Sequence, residues 1–336
     1  MERRGDRSGA PGRLTVSAPA ARGEARVVVA GEALIDLVPG SDGLLAAHDG
    51  GGPFNAARTI ARLGCPVAFL GCLSTDAYGR RLERGLAADG VDTSTVVHTS
   101  DPTTLALADV DLEGAASYAF YAQGTAAPSL TPESAIAMVP ADAQVIYTGS
   151  LGLALEPIAL ALETVIQVLA RRALIVVDPN FRPGVAVNEL KYRTRLADVF
   201  ELSDVVKLSE HDLALLSPRD DPRVAAQGLL EAGPAVVLLT RGPEGAVVIT
   251  TSGETEVPAP QVQIADTIGA GDAFGGAFVA WWTTHGLAAR DLRDHEAVVQ
   301  ATTFACLVAA KTCERKGASP PFASELPEPL AGGVSG

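Results

Sequence analysis

Residues 266–274 have the residue types expected of a phosphate-binding loop beside a catalytic acid. Three small residues, Gly269, Ala270 and Gly271, come directly before Asp272 and a helix-like pattern. Small residues let the backbone approach a ligand closely, and a helix start offers unpaired N–H groups at the positive end of a dipole. These amides would form an anion hole, where Asp272 could accept a proton from an attacking hydroxyl. The alternative is that Asp272 is a simple helix cap.

A second glycine-rich segment, residues 50–57, places three glycines ahead of Asn55 at a predicted helix start. It could set polar groups against a sugar-like ligand, or it could be a loop with a proline in the first helical turn. Neither segment matches the two common nucleotide motifs, because GxxxxGK[ST] is absent and Phe274 stands where GxGxxG needs its third glycine. A nucleotide-dependent dehydrogenase is therefore a weak alternative.

The elements that must position these segments alternate between strand and helix. Apolar, β-branched runs predict strands at 26–30, 67–70, 145–147, 174–177, 205–207, 235–240 and 246–250. Helical patterns cover 53–63, 76–88, 156–171, 189–202, 210–216, 222–231, 271–285 and 294–312. Such alternation predicts a mainly parallel sheet with helices on both faces.

One region departs from this alternation. Residues 103–111 and 115–121 alternate in polarity on either side of Glu113-Gly114, which predicts an antiparallel hairpin. Residues 35–39 and 44–50 could add two further short strands. A small sheet beside the main sheet could act as a lid over a site; the alternative is an ordinary edge hairpin.

Composition and charge exclude several classes of protein. The net charge of −14 over 336 residues argues against a general nucleic-acid binder, which needs a basic face. No stretch approaches 18 consecutive apolar residues, so no membrane span is expected. The four cysteines form no CxxC and no secretion signal precedes them, which favours reduced thiols and a cytoplasmic location. Residues 1–25 are predicted to be a disordered leader, and residues 331–336 a flexible tail.

Both glycine-rich segments resemble signatures of one family, the ribokinase-like or PfkB carbohydrate kinases, and they occur in the family's order. The resemblance covers nearly the whole chain. It implies a Rossmann-like α/β/α sandwich with a small β-sheet lid, in one domain over residues 26–330 with lid segments at about 35–50 and 101–123. It also implies ATP-dependent phosphorylation of a sugar hydroxyl, and a homodimer formed through the lids.

The resemblance assigns roles to individual residues. Asp272 is expected to be the base, with the amides of Gly269, Ala270 and Gly271 as the anion hole. Arg182, at the end of Asp178-Pro179-Asn180-Phe181-Arg182, could bridge the transferred phosphate and the substrate, because its fork suits phosphate oxygens; the alternative is a surface arginine. The expected sugar contacts are Asp36, Gly51, Gly52, Asn55, Tyr118 and Phe120, although strand aromatics are often core residues.

The nucleotide and metal sites are expected in later segments. The residues expected to contact the nucleotide are Lys207, Ser209, Thr240, Arg241, Gly242, Gly245 and Cys306. Many relatives have asparagine where this chain has Cys306, so only apolar contact with adenine is predicted there. Residues 207–212 resemble a segment that often reads Asn-x-x-Glu, with Ser209 and Asp212 at those positions. Asp212, or alternatively Glu210, would hold Mg²⁺ through water, and carbonyls around Asp266 and Ile268 would hold K⁺.

The motifs are most similar to those of fructokinases, so fructose is the predicted acceptor. A 2-keto-3-deoxygluconate kinase is the nearest alternative, but the run Phe120-Tyr121-Ala122-Gln123 lacks the arginine expected for a carboxylate substrate. A ribokinase or nucleoside kinase is a further alternative. A non-catalytic sugar or nucleotide sensor is an alternative of another class, although a sensor would not need Asp272.

Overall fold

The computed structural model of the chain describes residues 27–40, 43–110 and 116–327. The predicted leader at 1–25, the tail at 331–336 and the hairpin turn at Glu113-Gly114 lie outside these residues.

The strands are β1 (Val27–Ala30), β2 (Leu34–Pro39), β3 (Leu45–Gly50), β4 (Val67–Leu70), β5 (Cys72–Ser74), β6 (Val97–Thr99), β7 (Leu105–Val110), β8 (Ala116–Tyr121), β9 (Val145–Gly149), β10 (Leu174–Asp178), β11 (Val205–Ser209), β12 (Val236–Thr240), β13 (Ala246–Thr250) and β14 (Gly253–Val257). The helices are α1 (Gly52–Arg62), α2 (Ala77–Ala88), α3 (Pro132–Met138), α4 (Ile158–Leu169), α5 (Glu189–Glu201), α6 (Glu210–Leu216), α7 (Pro222–Ala232), α8 (Ala270–Thr284) and α9 (His295–Cys313).

The main sheet has eight strands in the order β14-β13-β12-β11-β10-β9-β1-β4. The strands from β4 to β12 are parallel, whereas β13 and β14 run antiparallel at one edge. Within β1, Val27 and Val29 face a core that includes α1, α8 and α9, while Val28 and Ala30 face a second core that includes α3 to α7. Both faces are therefore covered, which explains the continuous apolar runs and confirms the predicted α/β/α sandwich.

The second sheet has four strands in the order β3-β2-β7-β8. The pairing of β7 with β8 is antiparallel, as the alternating sequence predicts, and the pairing of β2 with β7 is parallel. Leu34, Ala106 and Leu151 form its small core, with Phe120 packed against them. Tyr118 and Tyr121 of β8 are exposed. On the opposite face, Ile35 is buried in the core that includes α1 and α8, and Leu37, Ala47 and Leu105 pack against that core, so both faces of the small sheet are partly covered.

Some elements were not predicted from the sequence. The strands β5 and β6 have three residues each and pair with one another, α3 has seven residues, and β14 is a polar edge strand. Their hydrophobic patterns are too short or too polar to be recognised by periodicity. In the described part of the chain, no helix is long and apolar enough to cross a membrane.

Candidate active site

Most of the predicted site residues line one cavity of about 320 Å³. The cavity lies where the carboxyl ends of β9, β10 and β11 meet the start of α8, with the small sheet on its other side. In parallel sheets this edge is the usual place for ligands, because loops from several strands converge there. The predicted residues that line it are Asp36, Gly51, Gly52, Asn55, Tyr118, Phe120, Arg182, Lys207, Ser209, Asp212, Thr240, Ile268, Gly269, Gly271 and Asp272.

Asp272 lies in the first turn of α8 and does not cap the helix. Gly269 occupies the N-cap position in a left-handed conformation, with φ of 77°, and no side chain caps this end. Asp272 Oδ2 instead accepts a hydrogen bond of 2.9 Å from Asn55 Nδ2. Burial raises the pKa of Asp272 to about 7, although the Asn55 hydrogen bond opposes the rise. A carboxylate with this pKa can take up a proton near neutral pH, as a general base must.

The amides at the start of α8 are only partly free. The Ala270 N–H donates to the Thr267 carbonyl at 3.2 Å, so the hydrogen bond expected from Ala270 to an anion already has a protein acceptor. Among the described residues, the N–H groups of Gly269, Gly271 and Asp272 have no acceptor. The open donors therefore include the amide of Asp272 itself, which the sequence did not indicate. Unpaired amides of this kind at a helix start suit an anion.

Asp36 and Asn55 present open acceptors to the same cavity. Asp36 comes from β2 and is partly exposed, and its carboxylate has no hydrogen-bond partner within the described residues. Burial raises the pKa of Asp36 to about 6. Asn55 Oδ1 is buried and likewise unpartnered. Carboxylate and amide oxygens without partners can accept hydrogen bonds from the hydroxyl groups of a sugar.

Arg182 reaches the cavity from the turn after β10. Its Nη1 donates to the Phe181 carbonyl at 3.3 Å, and no carboxylate in the described ranges pairs with it. The turn is held because Phe181 is buried, stacks on Tyr192 and donates its N–H to Asp212 at 2.8 Å. Arg182 is therefore a partly buried guanidinium with open donors on a fixed turn, which suits phosphate oxygens.

A second, mainly apolar cavity of about 230 Å³ adjoins the first. The two share Thr240, Thr267 and Gly271. The second cavity is also lined by Gly242, Gly245, Ala270, Phe274 and Cys306. Burial raises the pKa of the Cys306 thiol to about 12, so this thiol is a neutral wall of the cavity rather than a nucleophile. A long ligand with one apolar end and one charged end would fit across both cavities.

The remaining predicted residues lie elsewhere. Arg241 forms ion pairs with Glu244 and Glu256 and lines neither cavity. Glu210 is exposed on the first turn of α6, also outside both cavities. The Asp266 carboxylate accepts hydrogen bonds from the N–H groups of Ile268, at 3.0 Å, and Gly317, at 2.9 Å. That side chain therefore ties two loops together beside the start of α8.

Asp212 is engaged within the protein, although it borders the cavity. Its Oδ2 accepts hydrogen bonds from the amide and the hydroxyl of Ser209, at 2.8 and 2.6 Å, and its Oδ1 accepts the one from Phe181. Ser209 and Asp212 thus form a capping box at the start of α6. The described residues contain no group of three or more metal-ligating side chains. The carboxylates present therefore do not form a metal site by themselves.

Six residues of the cavity escaped the sequence analysis: the apolar Leu34 and Leu151, and the polar Glu32, Ser150, Asn180 and Thr267. Glu32 is buried and accepts hydrogen bonds from Gly152 N, at 2.9 Å, and Gly52 N, at 3.3 Å; burial raises its pKa to about 7. The signal available in the sequence was an acidic residue two positions after the buried strand β1. Ser150 and Asn180 have positive φ angles of 54° and 39°, and nothing in their residue types indicates this.

Comparison with known proteins decides the family. The model described as "pfkB family carbohydrate kinase" matches residues 24–325. The chain belongs to this family. It is a sugar kinase, a phosphotransferase that acts on an alcohol group, as the two glycine-rich segments predict.

Individual relatives of this PfkB kinase are fructokinases. It is 33% identical over 258 residues to the fructokinase of Rhizobium leguminosarum bv. trifolii, covering 76% of this chain and 78% of that protein. It superposes on fructokinase with bound ATP from Xylella fastidiosa with a TM-score of 0.81 and 30% identity, over 89% and 96% of the two chains. Fructokinase from Vibrio cholerae O395, in its fructose-, ADP- and calcium-bound form, gives a TM-score of 0.78 and 26% identity, over 88% and 94%.

Proposed function

We propose that this PfkB kinase transfers the γ-phosphoryl group of MgATP to the 6-hydroxyl of fructose. The observation that carries the proposal is the position of Asp272, a proton acceptor beside open amides in the cavity that also holds Asp36 and Asn55. The fructokinases among its relatives favour fructose as the acceptor.

In the proposed reaction the sugar binds between Asp36 and Asn55 with its 6-hydroxyl near Asp272. The hydroxyl oxygen forms a bond to the γ-phosphorus while the bond from that phosphorus to the ADP oxygen breaks. Asp272 accepts the hydroxyl proton late in the transfer, because the transition state is loose and the attacking oxygen becomes acidic only as its bond forms. The amides of Gly269, Gly271 and Asp272 would donate hydrogen bonds to the oxygens on which charge is spread.

The two adjoining cavities suggest how the nucleotide lies. Its base would occupy the apolar cavity against Phe274 and Cys306, and its phosphates would cross the shared wall at Thr240 and Gly271. The small sheet would close over the sugar as a lid, which excludes water and so limits hydrolysis of ATP. Arg182, which borders the sugar cavity, would contact the phosphoryl group from the side of the β10 turn.

Mg²⁺ would enter the site with the nucleotide, as the substrate MgATP. The protein carboxylates do not form a metal site alone, and Mg²⁺ is commonly held by substrate phosphates with few protein ligands. Asp212 remains the predicted contact through water, and a K⁺ site at the carbonyls of Asp266 and Ile268 remains a prediction. The lid-to-lid homodimer and the cytoplasmic location also stay predictions.

The test is ADP release from MgATP with fructose, ribose, 2-keto-3-deoxygluconate, adenosine and tagatose, for the wild type and Asp272→Asn. We expect fructose-dependent turnover that falls about 10²- to 10⁴-fold in the variant, because a positioned base is lost. Turnover with another of these acceptors but not with fructose would refute fructose as the substrate and leave the role of Asp272 as the base intact. ATP binding without turnover of any acceptor would favour the sensor.

A further inference from the structure

A third cavity, outside the two already described, lies between β8 of the small sheet and the start of α5. Its volume is about 910 Å³, against about 320 Å³ for the sugar cavity. It shares no lining residue with the apolar cavity, and only Tyr118 and Phe120 with the sugar cavity. Residues within 122–129, 154–157 and 183–195 form the rest of its wall. Cavities that hold small molecules commonly have volumes of this order.

Two cationic side chains of α5, Lys191 and Arg195, line this third cavity. Lys191 Nζ and Arg195 Nη2 both donate to Glu156 Oε1, each at 2.6 Å. Burial opposes the effect, but the hydrogen bonds from Lys191 and Arg195 lower the pKa of Glu156, so this carboxylate is ionised. Glu156 is the one carboxylate among the lining residues, and two cations with one anion leave a net charge of +1. The wall is thus locally positive in a chain whose net charge is −14.

Both cations keep open hydrogen-bond donors. Arg195 is only 5% exposed, and a guanidinium has five N–H groups. Besides the bond to Glu156, its Nε donates to Glu163 at 3.2 Å and its Nη1 to the Leu153 carbonyl at 3.5 Å. Two of its five N–H groups, and two of the three on Lys191, therefore lack an acceptor among the described residues. Open donors on cations suit an anionic ligand, because such hydrogen bonds are charge-assisted.

The start of α5 adds backbone donors beside the same cations. Asn188, which also lines the cavity, is the N-cap residue and accepts the Lys191 N–H at 3.0 Å. The N–H groups of Glu189 and Leu190 have no acceptor within the described ranges. The Glu189 carboxylate is paired with Arg193 Nε at 2.9 Å and is not part of the wall. The positive end of the helix dipole therefore adds to the two cations.

Another part of the wall is apolar and aromatic. Phe120, Leu155 and Val185 line the cavity and pack against the small core of the four-stranded sheet. Tyr118 is 39% exposed and stacks on Phe120, with 6.2 Å between the ring centroids. Aromatic side chains of this kind can pack against the face of a ring in a ligand.

We propose that this cavity binds a small phosphate ester, whose phosphate contacts Lys191 and Arg195 and whose ring packs on Tyr118 and Phe120. A phosphate ester has three terminal oxygens, so it can bond to the ammonium, the guanidinium and the helix amides together, whereas a carboxylate has two. Phosphorylated sugars and nucleoside monophosphates share this chemistry. Binding of the ester does not depend on the proposed function.

The ester would also act on sugar binding, and this part of the proposal rests on the proposed function. Tyr118 and Phe120 line both cavities, so β8 is a wall of each. Tyr192 lines the third cavity and stacks on Phe181, at 5.1 Å between centroids, directly before Arg182. Movement of the small sheet over the sugar would narrow the third cavity as well. A bound ester occupies that space, so we expect it to oppose closure and to weaken sugar binding.

The first test is isothermal titration calorimetry of the full chain with glucose 6-phosphate and, separately, with AMP. Glucose 6-phosphate is not the product of any acceptor assayed above. We expect Lys191→Met to raise the Kd of at least one probe about 10- to 100-fold, because a hydrogen bond from a charged group is lost. Lys191→Glu, which adds a carboxylate beside Glu156, should raise it further. The probe that responds shows whether the ester is a phosphorylated sugar or a nucleotide.

Arg290→Met is the matched control, since Arg290 is an exposed cation that does not line the cavity. It should bind both probes as the wild type does. A Kd that is the same in all four proteins would place the probe in the sugar or nucleotide cavity and overturn the proposal, as would the absence of binding at millimolar probe. Inorganic phosphate that binds as tightly as either ester would show that the aromatic wall contributes nothing, and would refute an ester as the ligand.

The effect on sugar binding is measured by ADP release with varied sugar. Without ester, Lys191→Met should keep the wild-type kcat and KM, because Lys191 lines neither the sugar cavity nor the apolar cavity. At saturating ester the KM of the wild type for the sugar should rise about fivefold or more, and that of Lys191→Met far less. An unchanged KM would refute the coupling. A wild type without turnover would refute the proposed function alone, and the coupling is then measured as the Kd of the sugar with and without ester.

Discussion

The two sides of the sugar cavity are built differently. On the side of the main sheet, Asp178, Lys207 and Asp212 are buried and bonded to protein partners. On the side of the small sheet, Asp36 lacks a partner within the described residues, and Tyr118 is 39% exposed. Groups that stabilise a transition state must be oriented before the reaction, whereas groups that recognise a substrate can find their partners on it. We therefore propose that the main sheet supplies the groups for the chemistry and the small sheet those for recognition of the sugar.

The largest expected effect concerns stability on the main-sheet side. The native pKa of Glu32 is about 7, against an ordinary value of 4.5, so the native state holds a proton that the unfolded chain releases. Its contribution to stability is complete below pH 4.5 and is lost as the pH rises through about 7. By linkage the loss is about 3 kcal/mol. Glu32→Gln cannot titrate, so its free energy of unfolding, measured in urea from pH 5 to 8, should fall less than that of the wild type.

Glu231, which is exposed on α7, provides the matched control. Glu231→Gln should follow the wild-type pH dependence of unfolding. If the free energy of unfolding of Glu32→Gln changes with pH in parallel with that of the wild type, Glu32 is ionised in the native state. The two sides of the cavity would then differ less in the burial of their acidic groups than proposed.

On the small-sheet side, Asp36→Ala should weaken sugar binding. A hydrogen bond to a charged group contributes about 1.5–3 kcal/mol, so we expect KM for the sugar to rise about 10- to 100-fold. kcat should fall much less, because Asp36 is distant from the transferred proton in the proposed arrangement. Steady-state kinetics with varied sugar measures both constants.

Asp49→Ala is the control for this experiment, since Asp49 lies on β3 of the same sheet and pairs with Arg81 at 2.7 Å. It should leave the KM for the sugar nearly unchanged. If Asp36→Ala lowers kcat without raising the KM for the sugar, Asp36 takes part in the phosphoryl transfer rather than in recognition of the sugar.

The ionisation of Asp272 should be visible in the pH dependence of kcat/KM. Its pKa is about 7, and only the carboxylate form can accept the hydroxyl proton. We therefore expect kcat/KM to level off above pH 7, to fall about tenfold for the first pH unit below 7, and to fall more steeply below about pH 6, where Asp36 also becomes protonated. Assays between pH 5 and 9 with a coupled or direct ADP readout would measure this, and a flat profile through pH 6 would contradict the role of Asp272.

The smallest effect is expected on the outer face of the small sheet. Tyr121 is 58% exposed in the single chain, and a lid-to-lid homodimer would cover it. Tyr121→Ser should shift the sedimenting species towards the monomer on dilution and leave kcat within about twofold. The free energy of unfolding of the monomer should change by less than about 0.5 kcal/mol. An unchanged mass at every dilution would argue against a dimer through this face.

Much of the molecule follows from its sequence by local physical rules. Continuous apolar runs such as Val27–Ala30 indicated strands covered on both faces, and alternation over 103–121 indicated the hairpin of the small sheet. The small residues before Asp272 indicated a helix start with open amides, because glycine there permits both the turn and a close approach. The glycine-rich segments also carried the family resemblance, which the family model confirms.

Only the tertiary structure decided which polar groups are free. Sequence reasoning could not show that the Ala270 amide donates to Thr267 or that Arg241 forms an ion pair with Glu256. Nor could it show that Glu32 accepts hydrogen bonds from Gly52 and Gly152, which are 100 residues apart in sequence. Residue types specify how many hydrogen bonds a side chain can make, and local pattern specifies which face it lies on. Which partners it meets, and whether water reaches it, depend on segments brought together by folding, and these determine both its pKa and its role.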